Sequence, residues 1–152
     1  MKPETAQLSL QAKVLIARRV ISGALGAPVE AAGFALTAPI SFWGGVNPQT
    51  GLIANVRHPQ YGRSVAGKVL CLPATVGSST AASVLLELTY AGLAPAAIVL
   101  HEPDAILLLG LIVAEEMGLA IPAALQLDRE HYPALDAQNL SINDQGMIRI
   151  VA

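Results

Sequence analysis

The stretch from Lys68 to Leu100 limits the fold more than any other part of the chain. "KVLCLP" (68 to 73) is a short apolar run bounded by Gly67 and Pro73, which suits a strand buried on both faces. A turn, "ATVG", leads into "SSTAASVLLELTYAG", where Leu85, Leu86, Leu88 and Leu93 supply one apolar face. Gly92 stands where a C′ glycine ends a helix, so the pattern predicts a helix over Thr80 to Ala91. "APAAIVL" (94 to 100) then reads as a second buried strand. Strand, turn, helix and strand make a βαβ unit with parallel strands.

The flanking segments extend this unit without repeating it. "LSLQAKVLIARRVISG" places apolar side chains at Leu8, Leu10, Ala12, Val14 and Ile16, a period of two that predicts a strand or hairpin arm. Gly23, Gly26, Pro28 and Gly33, followed by "FALTAPISFW", predict short strands joined by tight turns. Residues 44 to 67 are dense in Gly, Pro and Asn, the mark of an ordered but irregular loop region. Residues 105 to 118 predict a second helix, capped by Asp104 and ended by Gly118. "IPAALQL" is a further strand, and "LSINDQGMIRIV" a hairpin around Asn143 to Gly146. The expectation is one domain over residues 1–152, of mixed α/β class, with a parallel βαβ core and antiparallel additions.

Composition narrows the function. Hydrophobic residues make up 53% of the chain and charged residues 13%, against about 25% charged in an ordinary soluble domain. A small core cannot hide so much apolar surface, which implies burial against a partner. Nine basic and eleven acidic residues show no basic stripe, so nucleic acid is not an expected partner. The longest apolar run, "AILLLGLIVA", is half of what a bilayer crossing needs. No membrane span and no secretory signal are expected, and the expected location is cytoplasmic. The lone Cys71 permits no internal disulfide, and His58, His101 and His131 lack zinc-type spacing, so no metal site is expected on this chain. Within "KVLCLP", Cys71 reads as a packed small hydrophobe.

"GSST" (77 to 80) falls between the end of a strand and the start of a helix, where α/β folds bind ligands. Unpaired amides and the helix dipole favour an anion there. Gly77 lets a ligand approach the backbone, and the hydroxyls add donors. Serine and threonine are also ordinary N-caps, one such hydroxyl contributing about 1 kcal/mol. Capping and ligand binding both stand on the residues alone. No His or Lys lies nearby in sequence to act as a base for serine, and the lysine of a phosphate-binding loop is missing. Phe42 and Trp43 beside Gly44-Gly45 suit either aromatic packing over a glycine turn, the ordinary case, or the lining of a cleft or subunit contact. His58 suits a turn, and Asp128, Arg129 and Glu130 suit a surface turn.

"SFWGGVNPQTG" (41 to 51), "HPQYGRSVAGKVL" (58 to 70), "GSST" before an apolar helix and "APAAIVL" occur in the order seen in aconitase X, and the chain resembles its small subunit or swivelling domain from about Lys13 to about Pro122. The resemblance implies a three-layer β/β/α domain docked on a large catalytic subunit encoded separately. That partner would hold an iron–sulfur cluster through its own cysteines, and the two together would form a dehydratase (hydro-lyase). The family's first serine of the Gly-Ser-Ser turn removes the substrate proton, which here implies Ser78. Gly77, Ser79 and Thr80 would bind substrate, with the amides of Ser79 and Thr80 as donors. Substrates in the family include cis-3-hydroxy-L-proline and mevalonate 5-phosphate. The first is preferred here because "ATVGSST" has no Arg or Lys to clamp a phosphate. A non-catalytic anion-binding or docking module is the alternative. Aconitases place arginine after the two serines, whereas this chain has Thr80. The missing positive charge would come from the helix N-terminus, from Arg57 or Arg63, or from the partner.

Overall fold

The computed structural model describes residues 14–23 and 28–151. Among the described residues eight strands are present: β1 (Val14–Ile16), β2 (Arg18–Ile21), β3 (Val29–Ala35), β4 (Val69–Leu72), β5 (Ala97–Leu100), β6 (Ala123–Gln126), β7 (Asn139–Ile142) and β8 (Met147–Val151). The helices include α1 (Ala81–Tyr90), α2 (Ala105–Glu116) and the single turn α3 (Tyr132–Leu135), with a kinked turn at Phe42–Gly45 and a 3-10 turn at Arg129–His131. The strands follow the order β1-β8-β7-β3-β4-β5-β6-β2. Strands β3 to β6 run parallel, and every other pairing is antiparallel.

Two segments change partners along their length. β3 pairs through Val29–Ala32 with β7, then through Gly33–Ala35 with β4. The chain before buried Ala17 pairs with β8, and the chain after it pairs with β6. Two sheets therefore share strands at both margins and lie face to face. The predicted arm from Leu8 to Ile16 is a strand in its described part, Val14–Ile16, but it is split at Ala17 between the sheets. Leu8, Leu10, Ala12 and Gly26 lie outside the described residues. Gly33 is not a turn residue as expected, because β3 is continuous for seven residues. A Cβ at Gly33 would collide with the Leu135 carbonyl, so close backbone approach explains the glycine.

The parallel strands are buried on both faces, as their unbroken apolar runs predict. In β4, Val69 and Cys71 face a core shared with Leu140, Ile142 and Ile148 of the antiparallel layer. Leu70 and Leu72 face the other way, into a core with Leu85 and Leu88 of α1 and Leu107 and Leu111 of α2. Ala97 and Val99 alternate with Ile98 and Leu100 in the same manner along β5. The result is a three-layer β/β/α architecture.

Helix ends follow local chemistry. Gly92 adopts φ 74°, and the Leu93 amide donates to the Leu88 carbonyl at 2.9 Å, a Schellman closure of α1. Asp104 caps α2 by accepting from the amides of Ile106 and Leu107. Residues 46 to 68 contain only turns and isolated bridges, Val46 with Ile53 and Leu52 with Ser64. His58 pins this region: its Nδ1 accepts the Gln60 amide at 3.0 Å and its Nε2 faces the Ala38 carbonyl at 3.2 Å. An Nε2-protonated imidazole satisfies both contacts, so His58 serves the turn.

Candidate functional site

Parallel strands deliver their carboxyl ends to one edge of the sheet, and the loops after β4, β5 and β6 meet there. Residues 73 to 77 are strapped down after β4. The Ile40 amide donates to the Ala74 carbonyl at 3.2 Å, and the Val76 amide donates to the Ile40 carbonyl at 3.0 Å. Thr75 Oγ1 donates to Asp104 Oδ2 at 2.7 Å, while Asp104 Oδ1 holds the first amides of α2. One carboxylate thus ties the loop before α1 to the start of α2.

Gly77 is exposed, and a Cβ built on it would meet nothing within 4 Å. Its backbone needs no positive φ either. Nothing among the described residues requires glycine there, which leaves room for a ligand or partner as the reason. Ser78 is half-buried, and its Oγ accepts the Thr80 amide at 3.2 Å. The Ser78 carbonyl accepts the Ala81 amide at 3.1 Å. Thr80 is itself in helical conformation and makes no side-chain cap. Ser78 therefore performs the capping, two residues before the predicted helix start. Ser79 and Thr80 are exposed, and among the described residues the Ser79 amide donates to no acceptor. The Thr80 amide is engaged by Ser78 instead of standing free.

That bond has a chemical consequence. An amide at a helix N-terminus that donates to Oγ favours negative charge on the oxygen. The same contact that caps the start of α1 places a donor on the Ser78 oxygen. Among the described residues the Thr80 amide is the hydrogen-bond partner of Ser78 Oγ, and no His or Lys bonds to it.

Two hollows flank the turn. A cleft of about 490 Å³ is lined by Gly77 and Thr75 together with His101, Glu102, Asp104 and Arg129. On the far side, a groove of about 420 Å³ runs between Trp43 and Asn47 on one wall and Thr80, Ser83 and Glu87 on the other. Phe42 is buried, but Trp43 is 61% exposed and does not pack over the glycines as expected. Gly44 adopts φ 75°, a left-handed conformation that favours glycine. Val76, next to Gly77, is also exposed.

The residues named for the missing positive charge lie elsewhere. The Arg63 guanidinium sits 4.2 Å over the Phe34 ring, and neither Arg57 nor Arg63 lines the cleft beside Gly77. Arg129 does line it, and its amide donates to His101 Nδ1 at 3.1 Å. Sequence reading assigned Arg129 to a surface turn and gave His101 and Glu102 no role. The signal was available, since residues just after consecutive parallel strands share one edge.

Cys71 lies wholly inside the core between the sheets, and burial, reinforced by the charge of Asp136, pushes its thiol up to about 12. Tyr132, whose hydroxyl donates to the carbonyls of Leu72 and Leu127, is also raised, by burial first and then by Cys71 and Asp128. Among the described residues no group of three His, Cys, Asp or Glu could hold a metal ion. A single buried, protonated thiol does not fit iron–sulfur ligation, which takes several thiolates. No helix among the described residues is long and apolar enough to cross a membrane.

Comparison with known proteins places these features in context. A family model described as the aconitase X swivel domain matches residues 15–150. A cis-3-hydroxy-L-proline dehydratase of Pseudomonas aeruginosa is 46% identical over 116 residues, 74% of this chain and 19% of that protein. A phosphomevalonate dehydratase small subunit of Methanosarcina acetivorans is 35% identical over 115 residues, 74% of this chain and 76% of that protein. The crystal structure of Thermococcus kodakaraensis aconitase X (holo-form) superposes with a TM-score of 0.75 at 25% identity, over 91% of this chain and 98% of that one. The chain thus spans about a fifth of the length of the first relative and three quarters of the second.

Proposed function

The chain belongs to the aconitase X swivel-domain family, and from that premise we propose that it supplies the proton-abstracting serine to a dehydratase site completed by a larger catalytic chain. The observation that carries the reading is the Ser78 turn. Its Oγ accepts a helix-terminal amide beside Gly77, whose missing side chain opens the approach. Ser78 Oγ, as alkoxide, takes the proton from the carbon next to a substrate carboxylate. The electron pair of that C–H bond becomes the second bond of the new C=C, and the C–O bond at the neighbouring carbon breaks. The hydroxyl departs as hydroxide and takes up a proton from solvent to leave as water, and Ser78 gives its acquired proton back to solvent, which restores the alkoxide. The Ser79 amide and the Ser79 and Thr80 hydroxyls bind substrate, with Gly77 leaving space for it.

An isolated serine is a weak base near neutral pH, so the partner must complete the activation that the Thr80 amide begins. The partner is also where the family's iron–sulfur cluster would be held, because the donor set of this chain does not fit one. Exposed Trp43 and Val76 beside the turn suit burial against that chain.

The substrate proposed is cis-3-hydroxy-L-proline, supported by the 46% identity to a dehydratase of that name. Mevalonate 5-phosphate is the second reading, supported by the match to 76% of a phosphomevalonate dehydratase small subunit. Arg129 lines the cleft, so the lack of a cation within "ATVGSST" no longer separates the two. The test is turnover of both compounds by the anaerobically assembled complex, with Ser78→Ala beside it. A loss of at least about 10³-fold in kcat with assembly intact is expected. Undiminished turnover by Ser78→Ala would remove the proton-abstraction role and leave an anion-binding or docking module.

A further inference from the structure

We propose that Arg129 and Glu102 form the two charged walls of the cleft beside Gly77 and select a zwitterionic hydroxy amino acid over a phosphorylated hydroxy acid. The inference rests on the dehydratase reading above and specifies its substrate class. Both residues line the cleft that includes the Gly77 backbone. They follow different strands: Glu102 comes shortly after β5 and Arg129 shortly after β6.

Neither charge is neutralised by a neighbour. Among the described residues the only ion pair joins His131 to Glu130, so Arg129 and Glu102 pair neither with each other nor with another side chain. Asp104, the other acid of the cleft, is occupied by Thr75 Oγ1 and two helix amides. His101 accepts the Arg129 amide through Nδ1, and its carbonyl accepts from Gln126 Nε2 at 2.9 Å, which fixes the backbone beneath both charged residues. For direct contact with a ligand the cleft therefore offers one cation, Arg129, and one carboxylate not already hydrogen-bonded, Glu102, with the charge of Asp104 behind it, in about 490 Å³, a size ordinary for a small ligand.

The ligand chemistry follows. A carboxylate takes the planar fork of Arg129, and a secondary ammonium takes Glu102. cis-3-Hydroxy-L-proline carries both groups. Mevalonate 5-phosphate carries a carboxylate but no ammonium, and its phosphate is repelled by Glu102.

The test is calorimetric binding of each compound to the assembled complex in a Ser78→Ala background, which separates binding from chemistry. Glu102→Gln is expected to weaken cis-3-hydroxy-L-proline by about 10- to 100-fold and to leave mevalonate 5-phosphate unchanged or tighter. Arg129→Gln is expected to weaken both carboxylates by a similar factor, with Arg129→Lys recovering part of it. Dissociation constants for cis-3-hydroxy-L-proline within twofold of the parent in Glu102→Gln, or equal losses for the two compounds, would overturn the proposal. Turnover that survives Ser78→Ala would instead refute the dehydratase role of this chain, a separate readout.

Discussion

Gly110→Ala tests whether the packing of α2 on α1 positions the serine turn. Gly110 lies inside α2, where alanine is ordinarily worth about 1 kcal/mol more than glycine. A Cβ at 110 would fall well inside contact with the Ala82 carbonyl oxygen, and within 3.2 and 3.3 Å of the Ala82 C and Cα. These are backbone atoms and cannot rotate away, so the helices must part by about 1 Å. Overpacking of this kind costs about 1–3 kcal/mol, at the upper end where backbone has to move. The net expectation after the propensity gain is a destabilisation of about 1–2 kcal/mol, or several degrees in Tm for a chain of this length. Ala82 is the second residue of α1, one turn from Ser78. The shift is therefore transmitted to the site, and kcat of the assembled complex should fall by about 10- to 100-fold. Thermal melts of the chain, with single-turnover rates of the complex, provide the assay. A Tm equal to or above that of the parent would mean that helix propensity outweighs the contact and would refute the reasoning.

Asp104→Ala removes the acceptor for Thr75 and for two amides of α2. It should cost about 2 kcal/mol in urea denaturation, with Asp104→Asn losing less because it still caps. Cys71 predicts a pH dependence: the native thiol is pushed up to about 12 while the unfolded one titrates at its ordinary 9.0. Between these values the unfolded chain gives up a proton that the native chain keeps. Stability should hold below pH 9 and fall above it, by up to about 1.4 kcal/mol per pH unit from this group. Cys71→Ala should flatten that slope in denaturation curves taken from pH 8 to 11, and an unchanged slope would refute the assignment.

Much of the molecule is legible one residue at a time. The apolar runs of β4 and β5, the cap at Asp104, the glycine stop at Gly92 and the turn from Asn143 to Gly146 are local signals, and each corresponds to an element observed. Of the two readings of Trp43, packing over the glycines fails and the cleft-lining one fits, because where an aromatic packs is decided by where distant segments lie. Gly33 was misread for a related reason: the Leu135 carbonyl that demands a glycine is about a hundred residues away in the chain.

The site divides along the same line. The helix and a capping hydroxyl within "GSST" were evident because a hydroxyl before an apolar helical period acts on amides two or three residues away, whereas the resemblance, not local chemistry, singled out Ser78 for proton abstraction. Arg129 and Glu102 share a cleft only because parallel β5 and β6 bring their carboxyl ends to the edge where β4 delivers Gly77. Periodicity and capping are local free energies that the amino-acid sequence determines directly. Which distant charges share a cleft depends on strand order, and that is set by how the whole chain buries its apolar faces.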